Sequence, residues 1–200
     1  WSQQAYIKAT NTEADDKFLY PSLSADGNIL AVGAESEDSA ATGVGGNQGD
    51  NGAANAGAVY IYSRSGSTWS HQAYVKASNT GGGNQFGGSL AISGDGLTLV
   101  VGARYEDGSS TGVGGDQTNS GANASGAVYV FNRSGTTWSQ QNYVKASNTQ
   151  NSDFFGATVA TSADDNTLVV SAPNESSSAT GVGGNQANND DAASGAVYLY

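Results

Sequence analysis

Carboxylates and amides gather around one glycine-rich heptapeptide three times in this chain. TGVGGNQ at Thr42–Gln48 follows Glu37-Asp38 and precedes Asp50, with Asn47 inside it. TGVGGDQ at Thr111–Gln117 stands between Glu106-Asp107 and Asn119 and contains Asp116. TGVGGNQ at Thr180–Gln186 stands between Glu175 and Asn188 and contains Asn185. Carboxylate, amide and carbonyl oxygens are what Ca²⁺ selects, about six to eight at a time. The pattern therefore predicts one cation-stapled loop per copy. A structural reading stands beside it: the glycines supply backbone shapes closed to other residues and fold the loop onto its own unit. The two are compatible, because an ion can hold a loop that buries little apolar surface.

Other chemistry is poorly supplied. A phosphate-cradling loop needs lysine and a hydroxyl after its last glycine, then a helix. Gln48, Gln117 and Gln186 stand where a dinucleotide fingerprint needs its last glycine. His71 is the only histidine, and Gln3 and Gln140 occupy its place in the other copies, so it reads as a surface residue. Paired carboxylates for glycoside hydrolysis would sit in repeated loops, whereas an active site usually breaks repeat symmetry. No catalytic residue is assigned, and the chain reads as a non-enzyme.

The elements that carry these residues come in three copies. WSQQAYIKATNT begins at Trp1, WSHQAYVKASNT at Trp69 and WSQQNYVKASNT at Trp138. SADGNILAVGA (Ser24–Ala34), SGDGLTLVVGA (Ser93–Ala103) and SADDNTLVVSA (Ser162–Ala172) follow in register. GAVYIY (Gly57–Tyr62), GAVYVF (Gly126–Phe131) and GAVYLY (Gly195–Tyr200) come next. The copies span 1–68, 69–137 and 138–200, and the first is one residue shorter between Phe18 and Ser24. Each reads as four strands: a short first strand, an Asp-Gly type hairpin turn, an apolar second strand buried on both faces, a third strand, and a hairpin to a fourth. Lys8, Lys76 and Lys145, one per copy, are expected on a half-exposed outer strand as guards against edge pairing. Between second and third strands lies a loop of constant length: Glu35–Gly57, Arg104–Gly126 and Pro173–Gly195.

Four antiparallel strands per fixed period are the signature of propeller blades. The fold class is all-β, a β-propeller of three four-stranded repeats of 68–69 residues, either a partial propeller or part of a larger ring. The chain starts with a fourth strand and ends with a third, so residues 1–10 are placed to complete the last blade. With no methionine, it is expected to be an excerpt of a longer propeller, the alternative being assembly of identical chains into a ring.

Composition agrees with a soluble module. Seven basic residues face eighteen acidic ones for a net charge of −11, which disfavours nucleic acid and anionic membranes. No apolar run is long enough for a spanning helix, so no membrane insertion is expected. Cysteine is absent, which excludes disulfides and thiolate metal sites.

On these residues the chain resembles the FG-GAP repeats of integrin-like β-propellers. Phe86-Gly87 and Phe155-Gly156 match the first element. Gly33-Ala34, Gly102-Ala103 and Ser171-Ala172-Pro173 match parts of the second. In copy one Phe18 is followed by Leu19, a departure. The resemblance implies an extracellular or cell-surface module for adhesion or ligand binding, with a protein or carbohydrate partner. It also implies Ca²⁺ in the hairpin between the first two strands, where Asp26, Asp95 and Asp164 are the acids, although serine or apolar residues hold the other ligand positions. The plain alternative there is a hairpin turn. Two further readings are a structural protein assembling through its end strands and a non-catalytic propeller of a larger secreted enzyme.

Overall fold

Short β-branched and aromatic runs, cut by Asp-Gly and Ser-Gly turns, leave the chain no amphipathic helix to form. The structure, a computed structural model describing residues 1–200, is accordingly all strand and loop. The first blade holds β1 (Phe18–Leu23), β2 (Ile29–Ala34), β3 (Ala58–Ser65) and β4 (Thr68–Val75), paired in that order. The second holds β5 (Ser89–Ile92), β6 (Thr98–Ala103), β7 (Ala127–Ser134) and β8 (Thr137–Val144), in the same order. The third holds β9 (Thr158–Thr161), β10 (Leu168–Ala172) and β11 (Ala196–Leu199), with β10 in the middle. All pairs are antiparallel. The first strands β1, β5 and β9 lie side by side, as the inner strands of successive propeller blades must. Residues 1–10, expected as a fourth strand, pair with no sheet and contain no strand.

The apolar middle strands are buried as their composition demands; every residue of β6 is buried. One core fills the space between blades one and two, around Phe86, Leu99, Val101 and Tyr129. A second fills the space between blades two and three, around Val128, Phe155, Val159 and Val170. Each blade has a phenylalanine set edge-on to two aromatic residues in its third strand or, for Tyr200, just past its end. Phe86 lies 5.3 Å from Tyr129 and 6.1 Å from Phe131, and Phe155 lies 5.3 Å from Tyr198 and 6.3 Å from Tyr200. Phe18 does the same against Tyr60 and Tyr62.

Glycine lets successive blades touch through their backbones. A Cβ on Gly33 would overlap the Gly87 carbonyl oxygen, and one on Gly102 the Gly156 carbonyl oxygen. Phe86 N donates to Ala56 O at 2.9 Å and Phe155 N to Ser125 O at 2.9 Å, tying each blade to the long loop of the one before.

Candidate functional site

The three long loops and the segments that enter each blade form the candidate site. Glu37 stands at the start of the first loop, buried, with every donor around it coming from the chain. Its Oε2 accepts from Lys76 Nζ at 2.8 Å and Ser39 N at 3.1 Å. Its Oε1 accepts from Tyr74 Oη at 2.7 Å and from Asn11 Nδ2. Glu106 repeats this with Lys145 Nζ at 2.9 Å, Gly108 N at 2.9 Å and Asn79 Nδ2 at 3.0 Å. Both lysines are wholly buried, at 0 % exposure. Burial pushes their ammonium groups below the ordinary lysine range, and the facing glutamate opposes that shift. Tyr74 and Tyr143 are pushed up, first by burial and then by the glutamate.

The structure thus corrects the expectation for Lys76 and Lys145. They are not exposed guards on an outer edge. They lie one residue past the ends of β4 and β8, under the glycine heptapeptide, as internal counter-ions. The heptapeptide itself covers the outer strand. Val44 bridges Val75 and Val113 bridges Val144. Gly45 N donates to Tyr74 O at 2.9 Å and Lys76 N to Gly43 O at 2.8 Å; Gly114 N and Lys145 N repeat both bonds at 2.8 and 2.9 Å. Gly43 and Gly45 hold φ of 69° and 79°, and Gly112 and Gly114 hold 70° and 76°, a left-handed path that side chains resist. TGVGG is therefore a strap across the edge strand of its own blade.

The other sequence-predicted residues are brought into the same loops, but as turn and cap acceptors. Asp38 Oδ1 accepts from Asn55 N at 2.7 Å and Asp107 Oδ1 from Ala124 N at 2.7 Å, while in blade three Ser176 Oγ accepts from Ala193 N at 3.2 Å. Asp50 accepts from Ala40 N at 2.7 Å, Asn119 from Ser109 N, and Asn188 from Ser178 N at 2.8 Å. Asn47, Asp116 and Asn185 accept from Gly49 N, Thr118 N and Ala187 N at 3.1, 2.8 and 3.0 Å. Acid, amide and hydroxyl exchange freely at these places, so the role needs an acceptor oxygen and not a charge.

Asp26, Asp95 and Asp164 stand apart from the loops, in the hairpin turns. Each accepts from a serine hydroxyl, Ser24, Ser93 and Ser162, at 2.6 Å. Backbone N–H groups of Asn28, Leu97 and Asn166 add to this. These hydrogen bonds, the serine's first, hold all three carboxyls below the usual aspartate range. In the third turn Asp165 takes the left-handed conformation, φ 63°, that Gly27 and Gly96 take in the others.

No three carboxylates or imidazoles converge to hold a metal. In this structure the oxygens of the predicted residues accept from N–H, O–H and lysine donors, bonds that a Ca²⁺ ion would have to share or displace. Asn11, Asn79 and Asn148 escaped the sequence reading altogether. Each donates to the loop glutamate and to a loop carbonyl, Gln48, Gln117 or Gln186, and accepts from Tyr60, Tyr129 or Tyr198. Their signal was in the sequence: a K-A-(S/T)-N-T run in every copy.

Beside this network, between the entry segment of blade two and its long loop, is a polar pocket of about 320 Å³. Asn79, Asn84, Gln117, Asn119 and Ser120 line it with no apolar residue. The equivalent of Asn84 is Asp16 in blade one and Asp153 in blade three, both buried. Burial raises both carboxyls, Asp153 to about 6.

The FG-GAP repeat family matches residues 69–131 and 138–200. The chain belongs to this family of β-propeller repeats. A search of curated proteins finds no match. The family's two signature elements are the residues that make the blade contacts described above: the Phe that packs on the third strand, and the glycines that bring backbones together. Residues 1–68, which carry the first three strands of blade one, lie outside the matched residues; they keep Phe18 but have Leu19 where Gly87 and Gly156 stand. No helix is long and apolar enough to cross a membrane.

Proposed function

We propose that the chain is a non-enzymatic, extracellular β-propeller module that binds its ligand on the face formed by the long loops. One observation carries this reading. The three loops share the same asparagine–glutamate and turn hydrogen bonds, completed by a buried lysine in blades one and two, and their reactive groups are spent on these bonds, leaving a polar, amide-rich surface. Such a surface suits hydrogen bonding to carbohydrate hydroxyls or to an extended peptide better than it suits proton transfer. Repetition of the same arrangement favours several equivalent contacts over one catalytic centre.

The test uses the labelled chain on an oligosaccharide array and on coated matrix proteins. Ser120→Trp, which fills the polar pocket from an exposed position, is expected to weaken a detected interaction at least tenfold without lowering the melting temperature. Binding that is unchanged by Ser120→Trp, or no binding to either panel, overturns the reading.

A further inference from the structure

Where the three copies agree on the loop face, the shared residues shape the blade. One place departs from the repeat. Arg104 and Tyr105, which open the second long loop, stand where copy one has Glu35-Ser36 and copy three has Pro173-Asn174. Phe154, in the segment entering blade three, stands where the other copies have Lys17 and Gln85. The backbone there is common to all three: Lys17, Gln85 and Phe154 hold φ of 53°, 55° and 58°. That left-handed shape suits a bulky side chain poorly, so construction of the blade does not call for phenylalanine.

The fold brings these departures together at the junction of blades two and three. The Arg104 guanidinium lies over the Tyr105 ring, 5.0 Å from its centroid. Tyr105 and Phe154 stand 5.3 Å apart, edge to face at 69°. Both rings keep part of their surface in solvent. Tyr60, Tyr129 and Tyr198 spend their hydroxyls on asparagines of the internal network, whereas the Tyr105 hydroxyl makes no hydrogen bond within the chain. The pair adjoins the polar pocket of blade two. Arg104 Nη2 donates to Gln85 Oε1 at 3.0 Å, and Gln85 follows Asn84 of the pocket wall. Tyr105 precedes Glu106 and Asp107, which line the same pocket.

We propose that this corner of the second loop is a subsite for a neutral oligosaccharide. One sugar places its hydroxyls among the amides of the polar pocket, and the next lays its C–H face on the Tyr105–Phe154 pair. The face of an aromatic ring is electron-rich and attracts the weakly positive C–H groups of a sugar. The Tyr105 hydroxyl and the Arg104 guanidinium supply hydrogen bonds to its hydroxyls. The pocket, about 320 Å³, stands at the small end of ligand sites and suits a single sugar ring. It holds no apolar residue, so it offers no seat for the apolar side chains of a peptide. Charge favours a neutral ligand. Glu35 lies 3.8 Å from Arg104, and Glu106 and Asp107 edge the pocket, so an anionic ligand meets more negative charge than positive. The proposal rests on the reading that the loop face binds a ligand, and it adds one blade-specific contact to those repeated in each blade.

Saturation-transfer NMR on the 200-residue chain tests it, with neutral trisaccharides of glucose, mannose, galactose and N-acetylglucosamine and a sialylated trisaccharide as the anionic probe. At least one neutral trisaccharide is expected to bind with a Kd of about 1 mM or tighter, and the sialylated probe at least tenfold more weakly. Tyr105→Ser and Phe154→Gln install the residues that copies one and two carry there, Ser36 and Gln85, so both variants are expected to fold. Each should weaken trisaccharide binding at least tenfold at an unchanged melting temperature. Tyr105→Phe keeps the stack, removes the hydroxyl and should weaken binding about three- to tenfold. If Tyr105→Ser also lowers the melting temperature, Tyr105→Phe decides, and binding equal to the parent's overturns the proposal. If Ser120→Trp removes trisaccharide binding while Tyr105→Ser and Phe154→Gln leave it unchanged, the loop-face reading stands and this subsite falls. The same holds if the chain binds a coated matrix protein but no trisaccharide, or prefers the sialylated probe. Binding to no probe of either kind overturns both.

Discussion

The loops of the second and third blades have nearly the same sequence and differ in what lies beneath them. Around Glu106, one carboxylate is matched by Lys145, and the glycine strap is bonded to the edge strand at two amides. Around Glu175, the amide and backbone donors are the same, and residues 1–200 stop short of the positions that hold the fourth strand and lysine in the other blades. Yet the third loop holds the same turns and the same base closure, with Gly195 N donating to Glu175 O at 2.8 Å as Gly126 N donates to Glu106 O at 2.9 Å. The difference separates two jobs. The Asp, Asn and Ser acceptors shape the loop; the lysine–glutamate pair fastens it to the sheet.

Breaking the fastening should show the largest effect. Lys145→Ala leaves Glu106 buried without its counter-ion and should cost about 3–5 kcal/mol in urea unfolding. Glu175→Ala should cost less, about 1–3 kcal/mol, since only two hydrogen bonds go. Equal costs would mean that the pair adds nothing to the loop.

Blade contacts offer the next comparison. A Cβ on Gly126 would overlap the Phe155 carbonyl and lie 2.6 Å from Phe155 N, whereas one on Gly195 finds nothing nearer than Pro173 O at 3.2 Å. Both glycines have positive φ, 83° and 78°. Gly126→Ala should therefore cost about 3 kcal/mol, from strain plus overpacking, and Gly195→Ala about 1 kcal/mol, from strain alone. Matching melting-temperature losses for the two would remove the blade contact as a cause.

Asp153 and its neutral counterpart Asn84 differ by a charge at one buried position. Asp153 is raised to about 6 by burial first, with repulsion from Glu175 adding to it. The folded state then holds a proton that the unfolded chain releases, so this contribution to stability is full below about pH 4 and lost as pH rises through about 6. Asp153→Asn should gain about 1–2 kcal/mol at pH 7. It should also flatten the stability profile between pH 4 and 6. A profile unchanged by the substitution would place that titration elsewhere.

How the sequence foretold these features depends on the kind of signal. The blades were legible because strand alternation and turn chemistry are local and were repeated in register. Phe86, Phe155 and their glycines were legible as a motif, and the structure supplies the reason. The role of Lys76 was not legible. On a strand that alternates polar and apolar residues, a lysine reads as solvent-facing; the strap that buries it arrives from 33 residues earlier, at Gly43. The constant spacing of 39 residues from Glu37 to Lys76 and from Glu106 to Lys145 was visible, but it becomes a contact only once the hairpin between them folds back. The loop acids were found as candidates because their types suit a cation. What decides their role is the direction of nearby backbone N–H groups, which residue type does not reveal.

That last distinction is open to the smallest of the perturbations. Asp50 accepts a hydrogen bond from Ala40 N, and Asn119 and Asn188 fill the same place in the other blades. If the position needs only an acceptor oxygen, Asp50→Asn keeps the cap and should change stability by less than about 0.5 kcal/mol. The parent chain should likewise melt at one temperature in millimolar Ca²⁺ and in chelator. If the position instead supplies charge to a cation, the amide loses a ligand that Ca²⁺ strongly prefers. Asp50→Asn would then lower the melting temperature only when Ca²⁺ is present, and chelator would erase the difference between the two proteins. The two outcomes separate a loop shaped by its own backbone from one shaped by an ion, at a residue whose neighbours in the other copies have already dispensed with the charge.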